Sequence, residues 1–170
     1  MQGHTILVIE QADFKPFNRG KLLNVGVLQT VATHFVCHDV DMIPLNADYT
    51  AADGVTQLAD SQIQINGYLG GVTMFDRETF YSIGGYNNDY FHRAEDNEMA
   101  FNIHRLRLKV TYRIGRFAVL PHARTGPEFD PSLWYKSQQP RKVQNQLASC
   151  QYEITSDVVT GTYRHIKVML

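Results

Sequence analysis

Short apolar runs alternate along the chain with polar, glycine-bearing breaks, and the period of the runs changes from one to the next. HTILVIEQ, residues 4–11, is rich in β-forming residues and reads as a buried strand. After the turn-like ADFKPFN comes RGKLLNVGVLQTVA, with apolar residues at 22, 23, 25, 27 and 28, which predicts a helix with Asn18 as its N-cap. HFVCHDV follows as a strand whose charged end opens into a loop. This β–α–β order predicts a parallel sheet with ligands gathered at the carboxyl ends of its strands. Residues 63–75 predict extended structure broken by glycines. DRETFYSIGGY predicts a short helix capped by Asp76 and stopped by Gly84 and Gly85. YNNDYFHR reads as a polar-aromatic loop. AEDNEMAFNIHRLRLKV reads as a helix with acids in its first turn and bases in its last. GRFAVLPHART predicts a strand that breaks at Pro121 and exposes His122. Residues 140–150 are helical in composition, and YEITSDVVTGTYRHIKVML predicts two strands around a turn near Gly161.

Composition narrows the class. With 170 residues, 44% hydrophobic and 19% charged, the chain reads as one globular domain spanning residues 1–170. A net charge of −1 gives no electrostatic basis for binding nucleic acid or an anionic membrane. No apolar run is long enough to span a bilayer, and MQGHTILVIEQ lacks the basic start and long apolar segment of a signal peptide. Two cysteines, Cys37 and Cys150, do not make a disulfide scaffold, so a cytoplasmic setting is expected, with Cys37 packing as a small hydrophobe.

FVCHDVDMIPL, residues 35–45, poses a charge problem. Asp39 and Asp41 stand at i and i+2 of an extended segment, so their carboxylates point the same way beside an apolar run. Like charges placed so repel and are poorly solvated. An Arg or Lys, solvent at a strand end, or a divalent cation with oxygen ligands would each compensate them. A lone Asp-x-Asp is by itself a weak metal signature.

Several segments in this order resemble the β-1,4-galactosyltransferase family, inverting enzymes of the GT-A fold. FNRGKLLNVG (17–26) is similar to that family's FNRAKLLNVG, and CHDVDMIPLN (37–46) to its SDVDLIPMN. GYLGGV (67–72) resembles QYFGGV, and AEDNE (94–98) stands where the family has GEDDD. GRFAVLPHART stands where the family has a strand ending in a metal-binding histidine. The resemblance runs from about residue 4 to the C-terminus. It implies an α/β, GT-A-like fold with a mixed, mainly parallel sheet flanked by helices. The family carries a further strand and helix, with a PFRNR-like motif that holds uridine, before the segment that opens this sequence. The expectation is a catalytic core shortened on its nucleotide-binding side, completed by a partner chain or a second copy, or weakened in donor binding.

The resemblance implies a metal-dependent transfer of galactose from UDP-galactose to a hydroxyl of a saccharide acceptor. Asp41 and His122 are the implied metal ligands, and a carboxylate with an imidazole suits Mn2+. Val119 and Leu120 stand where members with a third ligand carry Met or a second His, so metal binding is expected to be weak or substrate-dependent. Without the resemblance, His122 is a solvent-facing loop residue. Asp39 is implied to hold the donor. Asp96 is the implied general base and Glu95 the acceptor's hydrogen-bond partner, although acids in a helix's first turn are favoured by the helix dipole alone. Arg19 reads as a clamp on the donor phosphates or as a surface arginine at a helix start. Tyr68, Gly70 and Gly71 are implied to line the donor sugar; otherwise they are a glycine bulge with a core tyrosine. Tyr90, Phe91 and His92 are assigned to the acceptor side, where the family's tryptophan-glycine loop is replaced. Trp134, the only tryptophan, suits a loop or the core equally. The alternative function is a non-catalytic domain that binds a sugar or nucleotide sugar; a third reading is a structural domain whose exposed sheet edge pairs with another copy.

Overall fold

Helix α1 (Arg19–Leu28) organises the molecule, because its apolar residues do not lie on one stripe. At 100° per residue, Leu22 and Val25 face one way and Leu23 and Val27 another, so the helix must be covered on two sides. In the computed structural model, which describes residues 4–59, 69–91, 94–121, 131–139 and 142–170, it is covered by two sheets. Leu22 and Val25 pack with Ile9, Ile166 and Val168 of a three-stranded sheet, β1 (Ile6–Gln11), β8 (Tyr163–Met169) and β7 (Glu153–Val159) in that order. Leu23, Val27 and Leu28 join the core of Phe75, Phe80, Ile83 and Tyr86 on the larger sheet.

That larger sheet has the order β2 (His34–His38), β5 (Val72–Asp76), β4 (Val55–Ala59), β6 (Val110–Val119), β3 (Met42–Asn46). The α/β, GT-A-like architecture holds. Its strand directions differ from a mainly parallel sheet: among the described strands only β1–β8 and β4–β6 run parallel, and the other four pairings are antiparallel. The expected β–α–β unit does not close on itself, since β1 and β2 enter different sheets and α1 bridges them. Strands β3 and β4, absent from the sequence reading, supply part of the antiparallel pairing. Pro44 lies in β3, an edge strand, which accommodates it.

Helix α2 (Arg77–Ile83) starts on Asp76, whose carboxylate accepts from Thr79 N at 2.8 Å, and ends on Gly84 at φ 88°. Helix α3 (Glu95–Arg105) carries Glu95, Asp96 and Glu98 in its first turn and His104 and Arg105 in its last. A short helix, α4 (Pro131–Ser137), lies where a loop was expected. Conversely, residues 142–150 do not form the expected helix. Gln146 N and Leu147 N donate to Gly84 O at 2.8 and 3.3 Å, so this backbone is spent on the end of α2 rather than on its own ladder. The terminal hairpin turns at Gly161 as expected. No helix among the described residues is long and apolar enough to cross a membrane.

Candidate functional site

The N-terminus of α1 is held in the interior, and Arg19 is its first helical residue. Asn18, 1% exposed, caps the helix by accepting from Lys21 N at 2.9 Å and donates to Asn88 O at 2.6 Å. From this anchored start the Arg19 guanidinium reaches three carboxylates. Nε donates to Asp39 Oδ1 at 2.7 Å, and Nη1 to Asp96 Oδ1 at 2.9 Å and, more weakly, to Glu95 Oε1 at 3.4 Å. Residues 20, 76 and 77 positions apart in sequence therefore share one cation.

Each acid has its own support. Asp39 follows the end of β2; its N–H donates to Gly71 O at 2.8 Å, and its carbonyl accepts from Met42 N at 3.2 Å. Gly71 adopts φ 72°, and a Cβ there would lie 2.7 Å from Met42 Sδ and 3.3 Å from Ala59 Cβ. The space left by the missing side chain is thus used by Met42, beneath the acidic turn. Gly70 O accepts from Gln57 Nε2 at 2.8 Å in a buried polar pair with Thr73. Glu95 and Asp96 open α3 after Ala94, which takes the left-handed conformation at φ 77°. Their loop is fixed by Asn24, fully buried in mid-helix, which accepts from Tyr86 N at 2.9 Å and donates to Tyr86 O at 2.7 Å and Asn88 Oδ1 at 2.9 Å. Asn87 continues the chain of contacts by donating to Glu98 Oε1 at 3.1 Å. Gly20 sits against this loop, where an added Cβ would meet Asn87 O at 3.1 Å and Glu95 Cβ at 3.3 Å.

The electrostatics follow from burial. Glu95 and Asp96 are 5% and 8% exposed. Burial pushes the Asp96 carboxyl up to about 7; Arg19 opposes that rise, while Glu95 and Asp39 add to it. For Arg19, burial disfavours the cation, but Asp96 and Asp39 outweigh it and hold the guanidinium well above its ordinary value. Three carboxylates against one guanidinium leave the cluster acidic. Glu95 Oε2 is buried without a hydrogen-bond partner among the described residues, an arrangement that calls for a polar visitor. Cys37 lies beside the cluster with its thiol pushed up to about 12 by burial, so it packs and does not react.

Of the residues expected at the site, Arg19, Asp39, Glu95 and Asp96 come together. Arg19 is engaged by carboxylates, which makes it an organiser of the acids as well as a candidate phosphate contact. Asp41 stands two residues beyond Asp39 in the same turn, and its carbonyl accepts from Leu120 N at 2.7 Å. With Met42 paired to Val119, β6 delivers its end to the acidic turn. His122, Tyr68 and His92 lie outside the described residues. Tyr90 is corrected: at 1% exposed it is a core residue with Lys136 Nζ 5.9 Å from its ring centroid, and it offers no open face to a sugar. Phe91 is 46% exposed. The sequence reading missed Asn18 and Asn24 as a scaffold for the site; an amide in an otherwise apolar helix was the available signal.

Whether these residues suit a divalent cation is a question of donors and charge. Among the described residues no group of three or more His, Cys, Asp and Glu is placed to hold a metal. Asp39 is committed to Arg19, so Asp41 is the described donor. The acidic surplus fits a cation that takes much of its coordination from a diphosphate and water rather than from a protein cage.

Residues 2–51 match the family described as the N-terminal region of glycosyl transferase group 7, and residues 54–123 that described as the N-terminal domain of galactosyltransferase. The human protein named beta-1,4-galactosyltransferase 4 is 31% identical over 96% of this chain. The chain spans about half of that relative, 53% of its length. The catalytic domain of Drosophila β1,4-galactosyltransferase 7 in complex with xylobiose superimposes with a TM-score of 0.81 at 23% identity, covering 98% of this chain and 80% of that one. A mutant of the same Drosophila enzyme, in complex with manganese, UDP-Gal and xylobiose, gives 0.80 at 24% identity with the same coverage. Shared motifs, matched regions and a shared fold lead to one assignment: the chain belongs to the β-1,4-galactosyltransferase family of glycosyltransferases.

Proposed function

We propose that this chain forms the core of a metal-dependent inverting transferase that moves galactose from UDP-galactose to a hydroxyl of a saccharide acceptor. The observation that carries the reading is the convergence of Asp39, Glu95 and Asp96 on Arg19, with Asp96 buried and its carboxyl raised to about 7. A base tuned near neutral pH is both deprotonated often enough to accept a proton and basic enough to take one. In the proposed step Asp96 accepts the proton of the acceptor hydroxyl as its oxygen bonds to the anomeric carbon. The bond from that carbon to the diphosphate breaks on the opposite face, and configuration inverts. Glu95 Oε2, buried and without a partner among the described residues, accepts a neighbouring hydroxyl of the acceptor. Arg19 fixes the Asp96 carboxylate through the 2.9 Å contact and ties it to Asp39 on the donor side. A divalent cation held by Asp41 and His122 would neutralise the departing diphosphate. The ligands of the Drosophila neighbour, manganese, UDP-Gal and xylobiose, support this choice of donor, metal and acceptor class.

The test measures UDP release from UDP-galactose with a panel of saccharide acceptors, with and without manganese, for the wild type and Asp96→Asn. Manganese-dependent release that the substitution abolishes supports the reading. Release that is absent in both proteins overturns it in favour of a sugar-binding domain without turnover, and release that is equal in both overturns the role given to Asp96.

A further inference from the structure

The α1 N-cap, Asn18, lines a cavity of about 620 Å³ whose walls include none of Arg19, Asp39, Glu95 and Asp96. The size is usual for a small-ligand site, but the lining is unusual. Seven of its fourteen lining residues are Asn or Gln, and its charged residues are two lysines and one aspartate. We propose that this cavity is a binding site for a neutral saccharide, separate from the cleft that holds Asp39, Glu95 and Asp96.

The chemistry of the walls selects the ligand. A side-chain amide both donates and accepts, as each hydroxyl of a sugar does. The Gln11, Asn18, Asn88 and Gln146 amides are already engaged within the chain. Among the described residues that leaves the NH2 groups of Gln144 and Asn145, the Gln151 amide and the second lone pairs of the engaged carbonyls to meet a polyol. The near balance of Lys15, Lys21 and Asp89 gives little preference for a phosphate or a sulfate, and Lys15 is already bonded to the carbonyl of Leu170. Pro16, Phe91 and Leu170 are the cavity's apolar lining residues. Phe91 stands among the amides 46% exposed, and the apolar face of a pyranose ring would cover its open part.

The floor is also rigid before any ligand arrives. Gln11 Oε1 accepts from Asn18 N at 3.0 Å, Asn88 Nδ2 donates to Gln146 O at 2.7 Å, and Asn88 N donates to Gln146 Oε1 at 3.1 Å. Gln146 Nε2 in turn donates to Gln144 Oε1 at 3.1 Å. Wiring of this kind removes the ordering penalty that would otherwise weaken binding. Phe91, assigned from the sequence to the acceptor side, lines this cavity.

The experiment records backbone amide shifts while lactose, cellobiose or xylobiose is titrated into the wild type, Phe91→Ala and Gln151→Ala. The expected result is saturable movement of the amides at 88–91 and 144–151 with at least one disaccharide. Affinity should fall about tenfold in Phe91→Ala, the usual scale for losing an aromatic contact, and less in Gln151→Ala. Thermal melts of the two variants, both altered at exposed positions, show whether they remain folded. The proposal is overturned if none of the three sugars moves those amides, if movement is confined to residues 39 and 94–96, or if both folded variants bind as tightly as the wild type. Failure of UDP release in the manganese assay leaves this outcome untouched, so the two readings fall separately.

Discussion

Replacing Asp96 by Asn is expected to make the protein more stable and, on the proposed mechanism, inactive. An isosteric amide keeps an oxygen for Arg19 but cannot ionise or serve as a base. The size of the gain follows from the carboxyl's titration. Its value in the folded chain, about 7, lies above the ordinary 3.8, so the folded state holds this proton more tightly than the unfolded one. The stability this group contributes is complete below pH 3.8 and is lost as pH rises through about 7. At about 1.4 kcal/mol per unit, the whole interval amounts to roughly 4 kcal/mol, and the part above pH 5 to roughly 3. The Asn variant escapes that loss. Its advantage over the wild type should therefore grow by roughly 3 kcal/mol between pH 5 and pH 8. For a chain of this length that is about 6–12 °C in melting temperature. Differential scanning calorimetry of both proteins at the two pH values measures it. A stability difference that is the same at pH 5 and pH 8, or that shrinks, refutes the argument that burial and the neighbouring acids hold Asp96 near neutrality.

Arg19→Lys keeps one charge but cannot bridge Asp39 and Asp96 from two nitrogens as the guanidinium does. Removing the Arg19 contact from Asp96 should move the acid limb of the kcat/KM pH profile upward and lower kcat by about 10²-fold, read by UDP release. Asn24→Ala deletes three buried hydrogen bonds to Tyr86 and Asn88 and should destabilise the chain by roughly 2–4 kcal/mol in urea unfolding. Gly71→Ala forces an L side chain to φ 72° and against Met42 Sδ, at an expected loss of about 1–3 kcal/mol. Met42→Ala in the same chain should restore part of that loss by removing the clash. Equal melting of the single and double variants would show that contact to be irrelevant.

Local rules made most elements legible, and long-range ones hid the rest. Asn18, Asp76 and Gly84 announce helix ends through their own side-chain and backbone chemistry, and all three cap where expected. The terminal hairpin was equally plain. The region 142–150 was misread because its composition favours a helix, while bonds to Gly84 and Asn88 hold it irregular. No local pattern encodes such a partner. Strand directions were misread for a related reason. The order strand–helix–strand suggested a parallel unit, but the apolar residues of α1 surround it, and a helix covered on both sides separates the two strands into different sheets. The sequence contained that fact in positions 22, 23, 25, 27 and 28, had their angles been compared. Tyr90 was assigned to a ligand by its neighbours, although an aromatic beside a glycine-free loop can equally fill the core.

The acid pair at 39 and 41 shows how charge divides the site. Asp39 is compensated from within the chain by Arg19, the first of the candidates that the sequence left open. That compensation is shared, because the same guanidinium also faces Glu95 and Asp96, and one positive charge does not balance three negative ones. Burial first and then that remainder raise the Asp96 carboxyl, and an acidic surplus is left beside Asp41. More positive charge would draw Asp96 down toward the ordinary carboxylate range, where it would be a weaker base; without Arg19, burial and the neighbouring acids would leave it protonated at neutral pH and unable to act. Burial and the neighbouring acids, opposed by one arginine, set the intermediate condition that general-base chemistry at neutral pH requires. The same shortage of positive charge gives a cation or an incoming hydroxyl something to interact with at this end of α1.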